Sequence, residues 1–373
     1  MIKKICNIVM LALLAACVCF PFVFMNTEEE VFSEADNRYL LETPQRADYE
    51  TGQEYREQLE EYVKDRIADR SQLMTFYGIF NQVAFNYLAH PLYEVGLDGQ
   101  AFFWFDNEQA DMDYITAYAN YIQEMYEYCQ ERGVPFVYVN SPEKKQVYAE
   151  YVPSYVPTPL DKFEYLAPLL EERGVPYIDL TEPLLQAHEE GVCVYNKVYD
   201  VGHWNAEGAL IGAQTIIEYL QDAGYNVEQP DIKNDYNTVY EHHDYLPSSV
   251  LYYPCDTYKY IHKDNGTGAV DVTSESAPLD LYPTYNTYTL WENSACENDL
   301  NLLMFQGSYF NTQGTVLYNQ FAHTECIHAY MNIFDLEEYF EMFDPDIVIF
   351  ESANYAISSS YYTYEGLTET ELS

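Results

Sequence analysis

The chain has 373 residues, of which 61 are acidic and 17 are basic, and its net charge at pH 7 is −44. A charge of this size repels polyanions, so the sequence predicts no nucleic-acid partner and no attraction to anionic membrane surfaces. A hydrophobic content of 48% predicts a folded chain rather than a disordered one. The 40 tyrosines can supply flat platforms for sugar rings, although most are expected in the core or on half-buried surface.

The pattern of the first 25 residues is typical of a membrane anchor. Residues 5–25 are apolar apart from Asn7, and Lys3 and Lys4 precede them. The run is long enough to cross a bilayer, and the two lysines favour the cytoplasmic side. The sequence therefore predicts a single-pass signal anchor over 1–25 in the cell membrane, with the bulk of the chain outside the cytoplasm. Cleavage before Cys17 is the alternative, because residues 14–17 resemble a lipoprotein box.

Residues 26–110 are predicted to form a stalk, a helical region and a hairpin. Residues 26–51 are acidic and broken by Pro44, whereas residues 53–88 have helical spacing of apolar side chains. Residues 93–104 are predicted to form a hairpin, because Asp98-Gly99 lies at their centre and this dipeptide is typical of a tight hairpin turn.

Residues 111–373 show strands alternating with helices over short connections, which predicts a parallel sheet covered by helices. An irregular insertion is predicted at about 229–299, where prolines are frequent. Helices are predicted over 114–132, 160–173, 312–323 and 335–343. Strands are predicted over 135–139, 176–180, 192–195, 300–305, 326–331 and 346–350.

The short loop that contains Asp200 and His203 holds the clearest candidate catalytic residues. Asp200 and His203 lie three residues apart with Gly202 between them, so the carboxylate can hold one imidazole nitrogen and leave the other facing a substrate. Asn205 suits the N-cap of the helix that follows. A loop salt bridge packed under Trp204 is the alternative interpretation.

The block Asp200–Asn205 resembles the Asp/His motif of SGNH-type hydrolases and acyltransferases, and is most similar to the AlgX/AlgJ-like and DHHW groups of bacterial surface proteins. Residues 32–40, 142–148 and 306–309 resemble further motifs of those groups in the same order. The resemblance implies an α/β fold, an SGNH-like three-layer sandwich with a parallel sheet, preceded by a transmembrane anchor and a helical region.

The resemblance also indicates the nucleophile. Ser308 follows a predicted strand, where the family has Gly-Asp-Ser, although Gln306 and Gly307 replace the first two residues. Gly307 is expected to allow a strained turn, and a helix after Ser308 to supply N–H groups for an oxyanion. Ser141 is the rival, but Pro142 after it has no N–H to donate.

By resemblance, the chain is expected to be a membrane-anchored O-acyltransferase, with acetyl as the expected group, that acts on surface or secreted polysaccharide. The implied catalytic residues are Ser308, His203 and Asp200, and a membrane-bound acyl-exporting protein is the implied donor partner. No cofactor is expected. Two alternatives stay open: a non-catalytic glycan-binding or scaffold protein, and a carbohydrate esterase. The residues expected to bind substrate are Trp204, Asn140, Lys144 and Tyr309.

No metal site is predicted. There is no Cys-x-x-Cys pair and no acidic calcium loop, and His242, His243 and Asp244 lack a second ligand pair at metal-site spacing. Cys255 and Cys296 flank an irregular stretch, so the sequence allows either a disulfide between them or free thiols.

The predicted topology has a direct test. Protease added to intact cells should digest the chain after Met25, because that part is expected outside the cytoplasm. Protection of the chain under conditions that leave a cytoplasmic marker intact would contradict this topology.

Overall fold

The computed structural model forms two compact units, residues 1–93 with 242–255 and residues 94–241 with 256–373. Among the described residues, no helix is long and apolar enough to cross a membrane. Most of the predicted anchor lies outside the described residues, so the anchor stays a prediction. The structure describes residues 7, 10, 11, 14, 15, 19, 20, 22–28, 30–33, 38–49, 51–85, 87–90, 92–103, 110–154, 160–247, 249, 252–263, 266, 268–275, 288–311, 313–330, 332, 333, 336–359, 361 and 362.

The first unit contains two helices where the sequence predicted one continuous helical region. Helix α1 (Gly52–Arg66) begins with a capping box, in which Thr51 and Glu54 bond each other's backbone N–H. Helix α2 (Arg70–Phe85) follows a break at Asp69, whose φ of 56° is left-handed. Strands β1 (Phe32–Ser33) and β2 (Arg38–Tyr39) form a short antiparallel ladder.

The predicted hairpin is confirmed. Strands β3 (Tyr93–Val95) and β4 (Ala101–Phe103) pair as a two-stranded sheet, and Leu97–Gly99 makes the turn between them. Asp98 and Gly99 both have left-handed backbones, with φ of 52° and 67°. Asp-Gly turns are favoured because these two residues adopt positive φ at low cost.

The second unit is built on a seven-stranded sheet with the order β6-β5-β13-β11-β12-β10-β9. The five neighbouring strands β6, β5, β13, β11 and β12 are parallel. Strand β10 is antiparallel to β12, and β9 is antiparallel to β10. Strands β7 and β8 form a separate two-stranded sheet. The bounds are β5 (Phe136–Ser141), β6 (Tyr177–Asp179), β7 (Tyr236–Tyr245), β8 (Tyr252–His262), β9 (Val270–Asp271), β10 (Tyr288–Glu292), β11 (Asn301–Gln306), β12 (His323–His328) and β13 (Ile347–Ala353).

The prediction of a wholly parallel sheet is wrong at one edge, because the sheet is mixed. Strands β9 and β10 come from the segment predicted as an irregular insertion, 229–299. Antiparallel strands need no crossover helix, so the alternation of strands and helices does not reveal them.

Helices cover the central strands on both faces. Every residue of β5 and of β13 is buried, and successive residues of a strand point to opposite faces of the sheet. The architecture is therefore three-layered. The helices of this unit are α3 (Met112–Glu131), α4 (Lys144–Val147), α5 (Phe163–Arg173), α6 (Thr181–Glu189), α7 (Ala206–Asp222), α8 (Ile232–Asp235), α9 (Thr315–Tyr318) and α10 (Leu336–Phe343).

Two local predictions are wrong. Residues 192–195 do not form a strand, and the helix predicted over 312–323 is a single turn, α9. No disulfide joins Cys255 and Cys296 in this structure.

Candidate active site

The Asp200–His203 loop is shaped by its own residues. Asp200 has a left-handed backbone with φ of 46°, and the His203 N–H donates to the Asp200 carbonyl at 3.3 Å. Gly202 lies so close to the Phe103 ring that any Cβ there would overlap it. Asn205 caps α7, as predicted, because its Oδ1 accepts from the N–H groups of the first helical turn. The loop therefore has one conformation.

The structure brings the three predicted catalytic residues together. His203 Nδ1 lies 2.7 Å from Asp200 Oδ1, and His203 Nε2 lies 2.8 Å from Ser308 Oγ. With Nδ1–H donated to the carboxylate, Nε2 is the bare nitrogen that accepts the serine proton. Burial lowers the pKa of His203, but the charge and hydrogen bond of Asp200 outweigh it, so the pKa is raised above its usual value.

Ser308 stands where the parallel strand β11 ends. Residues Ser308–Phe310 form a single 3₁₀ turn, not the longer helix expected after the nucleophile. Gly307 has φ of −80°, which is ordinary extended backbone, so the expectation of a strained turn is wrong. A Cβ at 307 would lie 3.2 Å from Glu351 Oε2 and 3.3 Å from Tyr330 Oη, so a larger residue there would require these side chains to shift by a few tenths of an ångström.

Trp204 was expected to bind substrate, but it is buried. Its Nε1–H donates to the Tyr309 carbonyl at 2.9 Å, and its ring packs edge-on against Tyr309 with centroids 4.9 Å apart. Gly208 and Gly212 of α7 leave room for the indole, since Cβ atoms there would crowd it. Tyr309 is also fully buried, and its hydroxyl donates to the Pro142 carbonyl at 2.9 Å. Both residues form the wall behind the site rather than a surface for substrate.

Asn140 and Lys144 also lie inside the protein rather than on a substrate surface. Asn140 is fully buried, and its amide donates to Asp179 at 2.9 Å. Burial lowers the pKa of Lys144 to about 7. Its Nζ nevertheless donates to three backbone carbonyls within 3.1 Å, which uses all three protons of the ammonium group. Lys144 therefore joins β4 to the chain around residues 196 and 197.

Three residues on the Ser308 side of the site were missed by the sequence prediction. Tyr355 Oη lies 2.7 Å from Ser308 Oγ, and Tyr330 Oη lies 3.4 Å from Tyr355 Oη. Burial raises the pKa of Tyr355 well above its usual value, so its hydroxyl stays protonated and can donate. Polar residues just beyond a buried parallel strand are the signal that could have identified Tyr355 and Glu351.

Glu351 is a fully buried carboxyl directly behind the nucleophile turn. Its Oε2 accepts the Gly307 N–H at 2.7 Å. Burial raises the pKa of Glu351 to about 7, and the Ser141 hydroxyl, the Gly307 N–H and the charge of His203 act in the opposite direction. The same charge coupling contributes to the raised pKa of His203. Glu351 therefore acts on both the turn and the base.

The rival nucleophile does not reach the surface. Ser141 is fully buried at the end of β5. The described part of the chain contains no group of three metal-ligating side chains, and His242, His243 and Asp244 are strand residues of the first unit. The arrangement of Ser308 with His203 is the one that can perform nucleophilic chemistry.

A small cavity of about 20 Å³ lies beside the site. Val201 and Gly202 of the histidine loop line it, together with Phe103, Lys145 and Tyr355. A space of this size holds about one water-sized group.

Residues 101–243 match the family model described as SGNH hydrolase-like domain, acetyltransferase AlgX. The matched region contains Asp200 and His203 and ends before Ser308. A search of curated proteins found no match. The family match supports the resemblance predicted from the motifs, and the fold is a mixed α/β SGNH-like fold.

Solved structures agree with that fold. PatB1 of Bacillus cereus is 18% identical with a TM-score of 0.56, and the match covers 72% of this chain and 97% of PatB1. PatB1 with a sulfonyl adduct gives the same identity and TM-score, covering 73% of this chain and 99% of the other. A DHHW family protein from Eubacterium siraeum is 16% identical with a TM-score of 0.51, over 74% of this chain and 98% of the other. At these identities the likeness establishes the fold alone.

Replacing Lys144 by Met should destabilise the protein by roughly 3 kcal/mol, because the carbonyls of Ala101, Asn196 and Lys197 lose the ammonium group as a donor in buried or half-buried contacts. Urea unfolding would measure the change. The matched control is Lys197→Met, since that side chain is exposed and only 3.7 Å from exposed Asp98, so its loss should cost under about 1 kcal/mol. Equal stability of the two variants would contradict a structural role for Lys144.

The His203 imidazole should titrate above its ordinary pKa of about 6.5. Glu351→Gln should lower that pKa, because it removes a negative charge and leaves an acceptor for the Gly307 N–H. NMR titration of the imidazole would measure this, with the His203 signal assigned by its absence from His203→Ala. Glu325→Gln is the control, since burial also raises the pKa of Glu325, to about 8, but Glu325 lies on β12 outside the site. A His203 pKa that Glu351→Gln leaves unchanged or raises would contradict the coupling.

Proposed function

We propose that this protein is an extracytoplasmic O-acyltransferase that moves an acetyl group to hydroxyls of surface or secreted carbohydrate. The observation that carries the proposal is the hydrogen-bonded chain from Asp200 through His203 to Ser308, with distances of 2.7 and 2.8 Å. The match to a family described by an acetyltransferase supports the acyl chemistry.

In the first half-reaction, Ser308 Oγ attacks the carbonyl carbon of an acyl donor. His203 Nε2 takes the hydroxyl proton, and Asp200 stabilises the imidazolium that forms. The tetrahedral intermediate then expels the donor's leaving group, which receives the proton from His203. The product is an acyl ester on Ser308 and a neutral imidazole.

The oxyanion needs donors close to Ser308. The Gly307 N–H is committed to Glu351, so it is not free for this role. The Tyr355 hydroxyl, which stays protonated and lies 2.7 Å from Ser308 Oγ, is the donor that we assign to the oxyanion. One such donor typically contributes roughly 3 kcal/mol to lowering the barrier.

In the second half-reaction, a carbohydrate hydroxyl attacks the acyl-serine. His203 Nε2 removes the proton of this hydroxyl as the new ester bond forms, and returns it to Ser308 Oγ as the acyl-serine bond breaks. The cavity of about 20 Å³ beside Tyr355 has room for about one methyl-sized group, which supports an acyl chain as short as acetyl.

The donor is proposed to come from a membrane-bound protein that exports acyl groups, because an extracytoplasmic enzyme has no direct access to cytoplasmic acyl-CoA. Lys3, Lys4 and the apolar run over 5–25 support a location at the cell membrane with this site outside the cytoplasm.

A carbohydrate esterase is the second candidate. The side chains of His203 and Asp200 are about 30% exposed, so water can approach the base. Water would then replace the carbohydrate hydroxyl in the second half-reaction. The two activities are separated by whether acetyl appears on an added oligosaccharide or as free acetate.

The variants Ser308→Ala and His203→Ala should each lower kcat by about 10⁴-fold or more with a small acetyl ester as donor. The double variant should be little worse, because the residues act as a unit.

Tyr355→Phe should lower kcat by roughly 100-fold if its hydroxyl binds the oxyanion. Tyr330→Phe is the matched control, since its hydroxyl contacts Tyr355 and not Ser308, and it should have a much smaller effect.

Labelling separates an enzyme from a scaffold. A sulfonyl fluoride should modify Ser308 in the wild-type protein, by analogy with the adduct described for PatB1. Wild-type kcat in His203→Ala would contradict the proposed mechanism. The absence of both labelling and ester turnover would favour the glycan-binding or scaffold alternative.

A further inference from the structure

Helix α2 presents its apolar stripe to solvent. Leu73, Phe76, Tyr77, Phe80 and Val83 recur at three- and four-residue spacing and are all exposed, with Val83 82% and Phe76 70% exposed. Such a stripe ordinarily faces the core of a globular protein. An exposed apolar patch of this kind marks a surface that contacts another protein or a membrane.

The less exposed side of α2 carries Met74 and otherwise small and polar residues. Gly78 is buried, and Thr75, Asn81 and Gln82 are half-buried. The Thr75 hydroxyl donates to the Ser71 carbonyl at 2.9 Å, and the Asn81 amide donates to the Tyr77 carbonyl at 2.7 Å. The side chains of Thr75 and Asn81 thus form hydrogen bonds to the backbone of their own helix, while the apolar stripe points outward.

The sequence around α2 also lacks negative charge. No acidic residue lies between Asp69 and Glu94, although the chain carries 61 acidic residues. The preceding helix α1, in contrast, has glutamates at four exposed positions. The other two acid-free stretches of similar length are residues 1–27, which contain the predicted anchor, and residues 300–324, which contain the buried strand β11. Within residues 70–93 the apolar stripe of α2 is exposed, whereas Leu88 and Tyr93 are buried. Most of the described apolar side chains of residues 1–27 are exposed too, so α2 shares this property with the predicted anchor.

The beginning of α2 lies beside the end of the apolar N-terminal segment. Phe20 and Phe24 line a cavity of about 670 Å³ together with residues 65–72, which include the first turn of α2. The Asn26 N–H also donates to the Arg66 carbonyl at 2.8 Å. The point at which the N-terminal apolar run ends is therefore the point at which α2 begins.

We propose that α2 lies in the surface of a lipid bilayer, with the stripe from Leu73 to Val83 among the acyl chains. A 16-residue helix is about 24 Å long, which is shorter than the roughly 30 Å hydrocarbon core, so it lies along the membrane rather than across it. Tyr77 and Tyr87 carry the amphipathic rings that favour the level of the headgroups.

The bilayer is the occupant that the charge pattern favours. A net charge of −44 opposes approach to an anionic membrane, whereas α2 contains no acidic residue and exposes its apolar stripe. The contact is apolar, so salt should not weaken it. This inference concerns the first unit alone and does not depend on the reaction at Ser308.

The test places a photoreactive benzoylphenylalanine at position 76 of the full-length protein, in place of Phe76, and reconstitutes it with phosphatidylcholine vesicles. After irradiation, peptide mass spectrometry identifies what the side chain has bonded to. The control carries the same group in place of Glu57, an exposed residue of α1. We expect phosphatidylcholine adducts at position 76, unchanged by high salt, and at least ten-fold fewer at position 57.

Three outcomes would overturn the proposal. These are no lipid adduct at position 76, equal lipid adducts at positions 76 and 57, and adducts at position 76 with a second copy of the chain in place of lipid. The ester turnover of each labelled protein, measured on the same samples, shows separately whether the second unit is folded. Failure of the lipid contact is thus distinguished from failure of the proposed reaction.

Discussion

The hydrogen bond from the Trp204 indole to the Tyr309 carbonyl is the constraint on which the candidate site depends. Trp204 directly follows the proposed base, and Tyr309 directly follows the proposed nucleophile, although the two are 105 residues apart along the chain. One bond of 2.9 Å between the neighbours therefore fixes the separation of His203 and Ser308. The glycines of α7 let the indole reach this position, and the edge-on contact with Tyr309 limits its rotation.

The polar groups behind Ser308 lie in surroundings with little water, which strengthens each interaction. Glu351 accepts the Gly307 N–H, and the Ser141 hydroxyl also acts on its carboxyl. The carboxyl takes the room that a side chain at 307 would need, so the turn residue and the acid on the adjacent strand have to be compatible. The departure from Gly-Asp-Ser thus leaves an acidic group near the turn, supplied from β13 instead of from the turn itself.

Sequence reasoning succeeded where the signal is local. Asp200, His203 and Ser308 were identified from short motifs, their order and their position after strands, and the structure brings them within hydrogen-bonding distance. The sequence did not predict which way polar side chains point. Asn140 and Lys144 have the polarity of ligand-binding residues, but both point into the protein. The position of Tyr355 after a predicted strand is visible in the sequence, but its contact with Ser308 depends on the pairing of β13 with β11, which no local pattern encodes. Irregular strands were expected in the insertion over 229–299, but β9 and β10 were not assigned to the main sheet, because antiparallel strands need no crossover helix.

The central claim is that Ser308 carries the acyl group, activated by His203. Brief exposure of the protein to a small acetyl ester, followed by acid quenching and peptide mass spectrometry, tests it most directly. The account predicts one acetyl group on the peptide that contains Ser308, and its loss in the His203→Ala variant. Acetylation that is absent from Ser308 in the wild-type protein, or that accumulates there at the same rate without His203, would contradict the account.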